Sequence, residues 1–124
     1  MPRALPRRVL AVLGTGAVVL AGCGHTTAVG ANRALEIRVT EYRLAPQSVV
    51  AHPGALSVFV RNVGRISHNL TLLDGTQTLA STKPIAPGQS AWLFVTLAAG
   101  SYTMASTMFS DQALGAYGSL TVRP

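Results

Sequence analysis

The stretch "GSYTMASTMFSDQALGAYGSLTV", residues 100–122, has the pattern of the last two strands of a β-sandwich with a loop between them. The loop contains Ser106, Met108, Asp111 and Ala116, but it has no cysteine and no histidine. Its length indicates a loop that could enclose a ligand, while its residue types restrict the chemistry that it can support.

Alternating apolar and polar residues extend upstream from this stretch to Ala34. The alternation has a period of two over 35–40, 56–61 and 68–73, which predicts strands with one buried face. A further strand at 90–97 places Trp92 and Phe94 on the face opposite to Leu93, Val95 and Leu97. Turn signals separate the strands: HPG at 52–54, NVG at 62–64, DG at 74–75, APG at 86–88 and AAG at 98–100.

Helical periodicity is not sustained for three turns anywhere in the sequence, so the pattern favours an all-β fold. We predict a Greek-key β-sandwich or barrel of seven or eight strands that occupies residues 34–124. The sequence contains a single cysteine, Cys23, so no intrachain disulfide can form and the apolar core must stabilise the domain.

The first 22 residues have the features of an export signal. Arg3, Arg7 and Arg8 precede an uncharged apolar run over 9–22, which is shorter than the roughly 20 residues of a membrane-spanning helix. The following "LAGC", 20–23, resembles the bacterial lipobox, in which the cysteine receives a diacylglyceryl thioether. We therefore predict a signal peptide at 1–22 and a mature lipoprotein that begins at Cys23. The adjacent arginines leave both Sec and twin-arginine export open.

Residues 23–33 are predicted to be the lipidated cysteine and a flexible tether of small and polar residues. Fatty acyl chains such as palmitate would hold the domain on the extracytoplasmic face of a bacterial cell membrane. The formal net charge of the whole sequence is +6, but seven basic and four acidic residues remain after the signal, which leaves +3. The basic residues are dispersed, which argues against nucleic acid as a partner.

A family resemblance emerges from three further segments. "RNVGRISHNLTLL", 61–73, resembles the N-x-G-x-x-x-H-N segment of the cupredoxins, whose histidine is the first copper ligand. "APGQSAWLFVTLAAGSYTM", 86–104, is similar to the strand and the G-x-Y approach before their ligand loop, and "GSLTV", 118–122, is similar to their closing strand. The resemblance spans Leu35 to Val122 and implies a cupredoxin-like fold for the whole domain.

The cupredoxin ligand loop supplies a cysteine, a histidine and usually a methionine. Aligned without a gap on Tyr102 and Gly118, this sequence has Ser106 at the cysteine position, Asp111 at the histidine position and Ala116 at the methionine position. His68 alone remains of the four ligands. A type 1 copper site requires a thiolate with two imidazoles, and the protonated hydroxyl of Ser106 cannot replace the thiolate. The resemblance therefore implies a ligand loop without type 1 copper, and we expect no cofactor.

An alternative is a metal site that is not blue, in which His68, Asp111 and Met108 take up copper for transfer or storage. Against this site stands a structural interpretation in which the ring of His68 hydrogen-bonds to Asp111 or to a backbone carbonyl. Methionine fills gaps in cores more often than it binds metal, and Met104 is expected to face the core.

The sequence contains no nucleophile elbow of the G-x-S-x-G type, so we do not expect an enzyme. We expect a binding or interaction module at the membrane surface, with an extracytoplasmic protein or a small ligand as its partner. The copper-handling protein is the alternative.

Overall fold

The computed structural model describes residues 25–124, which form two β-sheets packed face to face. The predicted all-β sandwich is thus confirmed. The signal peptide at 1–22 and the lipidation site Cys23 lie outside the described residues. Within 25–124, no helix is long and apolar enough to cross a membrane.

Eight of the strands contain four or more residues, in agreement with the predicted seven or eight. Two shorter strands and one short helix complete the domain. In chain order the elements are β1 (Thr27–Ala28), β2 (Ala34–Thr40), β3 (Arg43–Ala45), β4 (Ser48–Ala51), β5 (Gly54–Asn62), β6 (Thr71–Asp74), β7 (Gln77–Ser81), β8 (Ser90–Leu97), β9 (Gly100–Ala105), α1 (Asp111–Leu114) and β10 (Tyr117–Val122).

One sheet has six strands in the order β1-β4-β10-β9-β6-β7, and the other has four in the order β3-β2-β5-β8. Strands β2 and β5 pair in parallel, so both end at the same end of the sandwich. Strand β10 is antiparallel to β9 and parallel to β4. These pairings collect the connections β2–β3, β5–β6 and β9–β10 at one end of the domain.

The core lies between the two sheets because each long strand turns one apolar face inward. In β2, Leu35, Ile37 and Val39 are buried while Glu36 and Arg38 are exposed. Residues of both sheets join the same buried cluster, which also includes Met104, as expected. The period-two pattern therefore identified the core face of β2 correctly.

Strand β8 has the predicted bounds and the predicted orientation. Leu93 and Leu97 are buried, whereas Trp92 and Phe94 are exposed on the outer face of the four-stranded sheet. Their rings stack with centroids 5.8 Å apart, and the ring of Phe59 lies 4.8 Å from that of Trp92.

The strand predicted over 68–73 is shorter than expected, since β6 begins at Thr71. His68 instead forms an isolated bridge with Ile85, in which each backbone N–H donates to the other residue's carbonyl. Asn69 and Thr71, expected on the polar face, are buried because the β9–β10 loop covers that face. The alternation of this segment therefore did not show which side chains are buried.

The tether predicted over 23–33 is only partly separate from the domain. Strand β1 pairs in parallel with β4 at the edge of the six-stranded sheet, and Val29 packs against the core. The guanidinium of Arg33 donates to the carbonyls of Ala55 and His52. Short apolar residues and one arginine are enough to attach this segment, so the ordered domain begins before Ala34.

Candidate functional site at the loop end

We use the term loop end for the end of the sandwich formed by residues 41–42, 63–68 and 106–116. The β9–β10 loop is closed at its base by a hydrogen bond from the Ser106 N–H to the Ala116 carbonyl, at 3.0 Å. Helix α1, which the sequence analysis did not predict, occupies the second half of this loop. Gly115 follows the helix with φ +125°, and a Cβ there would lie 2.8 Å from the Tyr42 carbonyl oxygen.

Three of the predicted site residues meet in a fully buried cluster. The His68 ring donates through Nδ1 to Asp111 Oδ2 at 2.7 Å, and the Ser106 hydroxyl donates to the same oxygen at 2.6 Å. The side chains of all three residues are almost completely removed from solvent. The hydrogen bond between His68 and Asp111 agrees with the structural interpretation of these two residues.

Asn69, the residue after His68, forms hydrogen bonds with the β9–β10 loop. The Thr107 N–H donates to Asn69 Oδ1 at 2.7 Å, and the Asn69 amide donates to the Thr107 hydroxyl at 3.0 Å. The Asn69 N–H reaches the Ser106 hydroxyl at 3.3 Å, and the Thr71 and Thr107 hydroxyls lie 3.1 Å apart. These contacts give the buried polar groups partners and hold the loop in place.

Glu41 lies on the other side of the His68 ring. Its Oε2 is 3.4 Å from Nε2 of His68, and this nitrogen is buried without a hydrogen-bond partner among residues 25–124. Glu41 Oε1 accepts hydrogen bonds from the backbone N–H groups of Arg65 and Ile66. The Arg65 amide is the main cause that holds the pKa of Glu41 below its ordinary value, with a smaller contribution from His68.

The side chains at the remaining predicted positions lie around this cluster and take no part in the side-chain hydrogen bonds of His68, Ser106 and Asp111. Met104 is buried in the core, Ala116 is fully buried at the base of the loop, and Met108 is half-buried. The Met108 carbonyl accepts a hydrogen bond from the Asp111 N–H at 3.0 Å, but within residues 25–124 the Met108 side chain makes no hydrogen bond to His68 or Asp111.

Sequence reasoning missed Glu41, Asn69 and Thr107 as members of the site. Glu41 directly follows β2, and β2 runs parallel to β5, so the pairing of these strands places its carboxylate beside the segment that follows β5. That pairing is not visible in a single sequence. Asn69 was detectable only as part of the histidine-asparagine motif.

The hydrogen bonds limit what the cluster can do chemically. The Ser106 hydroxyl donates to Asp111 and not to the His68 ring, so the imidazole is not placed to remove its proton. Within residues 25–124, no group of three His, Cys, Asp or Glu side chains is arranged to hold a metal ion.

A scan of the sequence against protein-family models finds no match, and a search of curated proteins finds none either. Solved structures do match. Reduced auracyanin from Roseiflexus castenholzii superposes with a TM-score of 0.69 at 23% identity, covering 77% of this chain and 100% of that one. A purple cupredoxin from Nitrosopumilus maritimus gives 0.57 at 17% identity, with coverages of 72% and 99%.

The domain has the cupredoxin fold. A multicopper oxidase also matches, with a TM-score of 0.60 at 19% identity, 74% of this chain and 42% of the oxidase being covered. This domain thus matches the whole chain of the two small proteins and less than half of the oxidase chain. At these identities the matches establish the fold alone.

The residues present do not fit a type 1 copper ion. Ser106 offers a hydroxyl where this site requires a thiolate, and Asp111 offers a carboxylate where it requires a second imidazole. Nδ1 of His68 is already hydrogen-bonded to Asp111. This cupredoxin-like domain therefore has no donor set for a blue copper centre at the loop end.

Proposed function

We propose that this protein is a lipid-anchored, extracytoplasmic binding or interaction module built on a cupredoxin fold, with neither a type 1 copper site nor enzymatic activity. The observation that carries the proposal is the buried cluster of His68, Ser106 and Asp111, in which two donors share one carboxylate oxygen. In this arrangement the polar groups at the family's ligand positions bind each other.

The burial of the cluster supports a structural role for these residues. His68 and Ser106 have no exposed surface, and Asp111 retains 1% of its accessible surface. Because the cluster is buried, a partner would contact other, exposed residues of the domain. We place that partner, a protein or a small ligand, on the extracytoplasmic side of a bacterial membrane, because the LAGC segment resembles the lipobox, whose cysteine receives a lipid.

One observation favours the second candidate, a copper-handling protein with a site that is not blue. Nε2 of His68 has no hydrogen-bond partner in the described part of the chain and lies 3.4 Å from the Glu41 carboxylate. An ion between these atoms would have one imidazole and one carboxylate ligand from the described residues. That number is below the three protein ligands of open zinc sites, and Met108 would have to move to complete it.

Metal titration of the purified protein separates the two candidates. Cu(I), Cu(II) and Zn(II) would be titrated into the wild type and into His68→Gln, Glu41→Gln and Met108→Leu, with His52→Gln as the control for an exposed imidazole. We expect weak binding that His68→Gln reduces no more than His52→Gln does. Tight stoichiometric binding of Cu(I), lost in His68→Gln and Met108→Leu but retained in His52→Gln, would establish the copper-handling function instead.

A further inference from the structure

The exposed apolar side chains are concentrated at the loop end. Nine large hydrophobic residues are exposed in the described part of the chain, and three of them, Leu79, Trp92 and Phe94, lie on strands β7 and β8. The other six project from the connections at the loop end or from the first residue of β10: Tyr42, Val63, Ile66, Phe109, Leu114 and Tyr117. Such a concentration on one end marks an interaction surface.

Contacts between the connections bring these six residues together at one end of the sandwich. Glu41 accepts from the N–H groups of Arg65 and Ile66, which joins the β2–β3 connection to the β5–β6 connection. The Tyr42 carbonyl lies against Gly115, which joins the β2–β3 connection to the β9–β10 loop. We call the six residues the apolar tips.

Phe109 is the most prominent of the apolar tips. Its side chain is 88% exposed, and its backbone has φ +53°, in the left-handed region that few residues other than glycine adopt. Because the ring of Phe109 is exposed to water, it adds no hydrophobic stabilisation that would offset the loss of stability from its strained backbone. A surface that covers its ring would offset that loss.

The N-terminal segment connects to the same end of the domain. Strand β1 runs parallel to β4, so the chain before Thr27 leads toward the start of β4. The Thr26 hydroxyl lies 3.2 Å from the Ser48 hydroxyl, and His25 lines a groove next to the loop end together with Gln47 and Tyr117. Cys23 is two residues before His25, so the chain length allows at most about 7 Å between their α-carbons.

The charge of this end is positive toward solvent. The side chains of Arg43 and Arg65 are exposed. The carboxylate of Asp111 is buried in hydrogen bonds, and that of Glu41 is engaged by backbone N–H groups. Exposed arginines beside apolar and tyrosine side chains suit the headgroup region of an anionic membrane.

We propose that the loop end is the membrane-docking surface of this protein, and that the apolar tips enter the headgroup region of the bilayer that holds the Cys23 lipid. The proposal rests on the lipid anchor of the proposed function. The short connection from β1 fixes which end faces the bilayer, and the apolar tips and the two arginines supply the contact. The cluster of His68, Ser106 and Asp111 then lies directly beneath the membrane-facing loops.

Fluorescence quenching by brominated lipids tests the docking. The lipid-anchored protein with Phe109→Trp and Trp92→Phe would be reconstituted into vesicles of phosphatidylcholine and phosphatidylglycerol brominated on their acyl chains. We expect the introduced indole to lose about half of its emission or more, because its ring would lie near the acyl boundary. The wild type is the control, since Trp92 lies on the outer face of the four-stranded sheet and is expected to be quenched little.

The outcomes distinguish the anchor from the docking. A protein that is recovered from the soluble fraction overturns both, because the anchor itself would be missing. A protein that stays in the membrane while its introduced indole remains open to a water-soluble quencher overturns the docking alone. Arg65→Gln should reduce the quenching in the mixed vesicles and leave it unchanged in vesicles of phosphatidylcholine alone; equal quenching in both lipids would contradict the role of charge.

Discussion

His68 and Asp111 form a buried hydrogen-bonded pair, with 2.7 Å between Nδ1 and Oδ2. The Ser106 hydroxyl binds the same carboxylate oxygen. We expect Asp111→Ala to destabilise the domain, because it orphans two buried donors at about 1–3 kcal/mol each. Urea unfolding followed by circular dichroism measures this loss. The exposed Asp74→Ala is the control, with an expected change within about 0.5 kcal/mol. Equal midpoints for the two variants would contradict a stabilising role for the cluster.

Because Ser106, Asp111 and His68 lie together, two substitutions in the loop are expected to create a blue copper site. Combining Ser106→Cys with Asp111→His supplies a thiolate and a second imidazole around His68, which is the donor set of a blue copper site. We expect an intense visible absorption band when Cu(II) is added to the folded double variant. The wild type and Asp111→His alone should lack the band because neither has a thiolate in the loop. A blue wild type would show that the gap-free alignment of the loop is wrong.

Gly118 lies where β10 passes the residue before β4. A Cβ at this position would meet the Gln47 carbonyl oxygen at less than the 3.0 Å that real side chains respect. We expect Gly118→Ala to cost about 1–3 kcal/mol, since the two backbones would have to separate. Thermal unfolding measures the change, and Gly30→Ala, where the nearest atom is 3.7 Å away, is the matched control. A neutral Gly118→Ala would contradict the close approach of these strands.

Glu41 makes stability depend on acidity. The folded protein holds the pKa of this carboxyl below its ordinary value of 4.5, so its ionised form favours folding. That contribution is complete above the ordinary value and is lost as the pH falls through the lowered pKa. We expect Glu41→Gln to reduce the fall in unfolding free energy between pH 5 and the acid limit, measured as urea midpoints against pH. A variant with the acid slope of the wild type would show that other carboxyls account for it.

Cys23 is expected to be the point of membrane attachment, because the LAGC segment resembles the lipobox at all four positions. We expect Cys23→Ala to abolish lipidation and to release or misprocess the protein. Membrane fractionation with a labelled fatty acid measures both effects. Unchanged labelling of the variant would show that Cys23 is not the site of lipidation.

The sequence was sufficient for the sandwich and for the core face of β2, because apolar and polar residues alternate along β2, whereas β8 has apolar residues on both faces. The sequence did not predict which side chains around β6 are buried, because the loop that covers Asn69 and Thr71 lies more than 30 residues further along the chain. Glu41 entered the site through a parallel pairing of strands, which leaves no local signal. The contact between His68 and Asp111 followed from the family resemblance, since 43 residues separate them in the chain.

Strand β1 also determines how a pull on the N-terminus is distributed. Because β1 is parallel to β4 and points its N-terminus toward the loop end, tension from Cys23 would load its hydrogen bonds in shear. While these bonds hold, the chain from Cys23 to Thr27 can extend over at most about 14 Å. If β1 and the Arg33 contacts detach, the free chain reaches from Cys23 to Ala34 and can extend over about 40 Å. The two residues of β1 and the guanidinium of Arg33 thus limit how far the domain can move from Cys23.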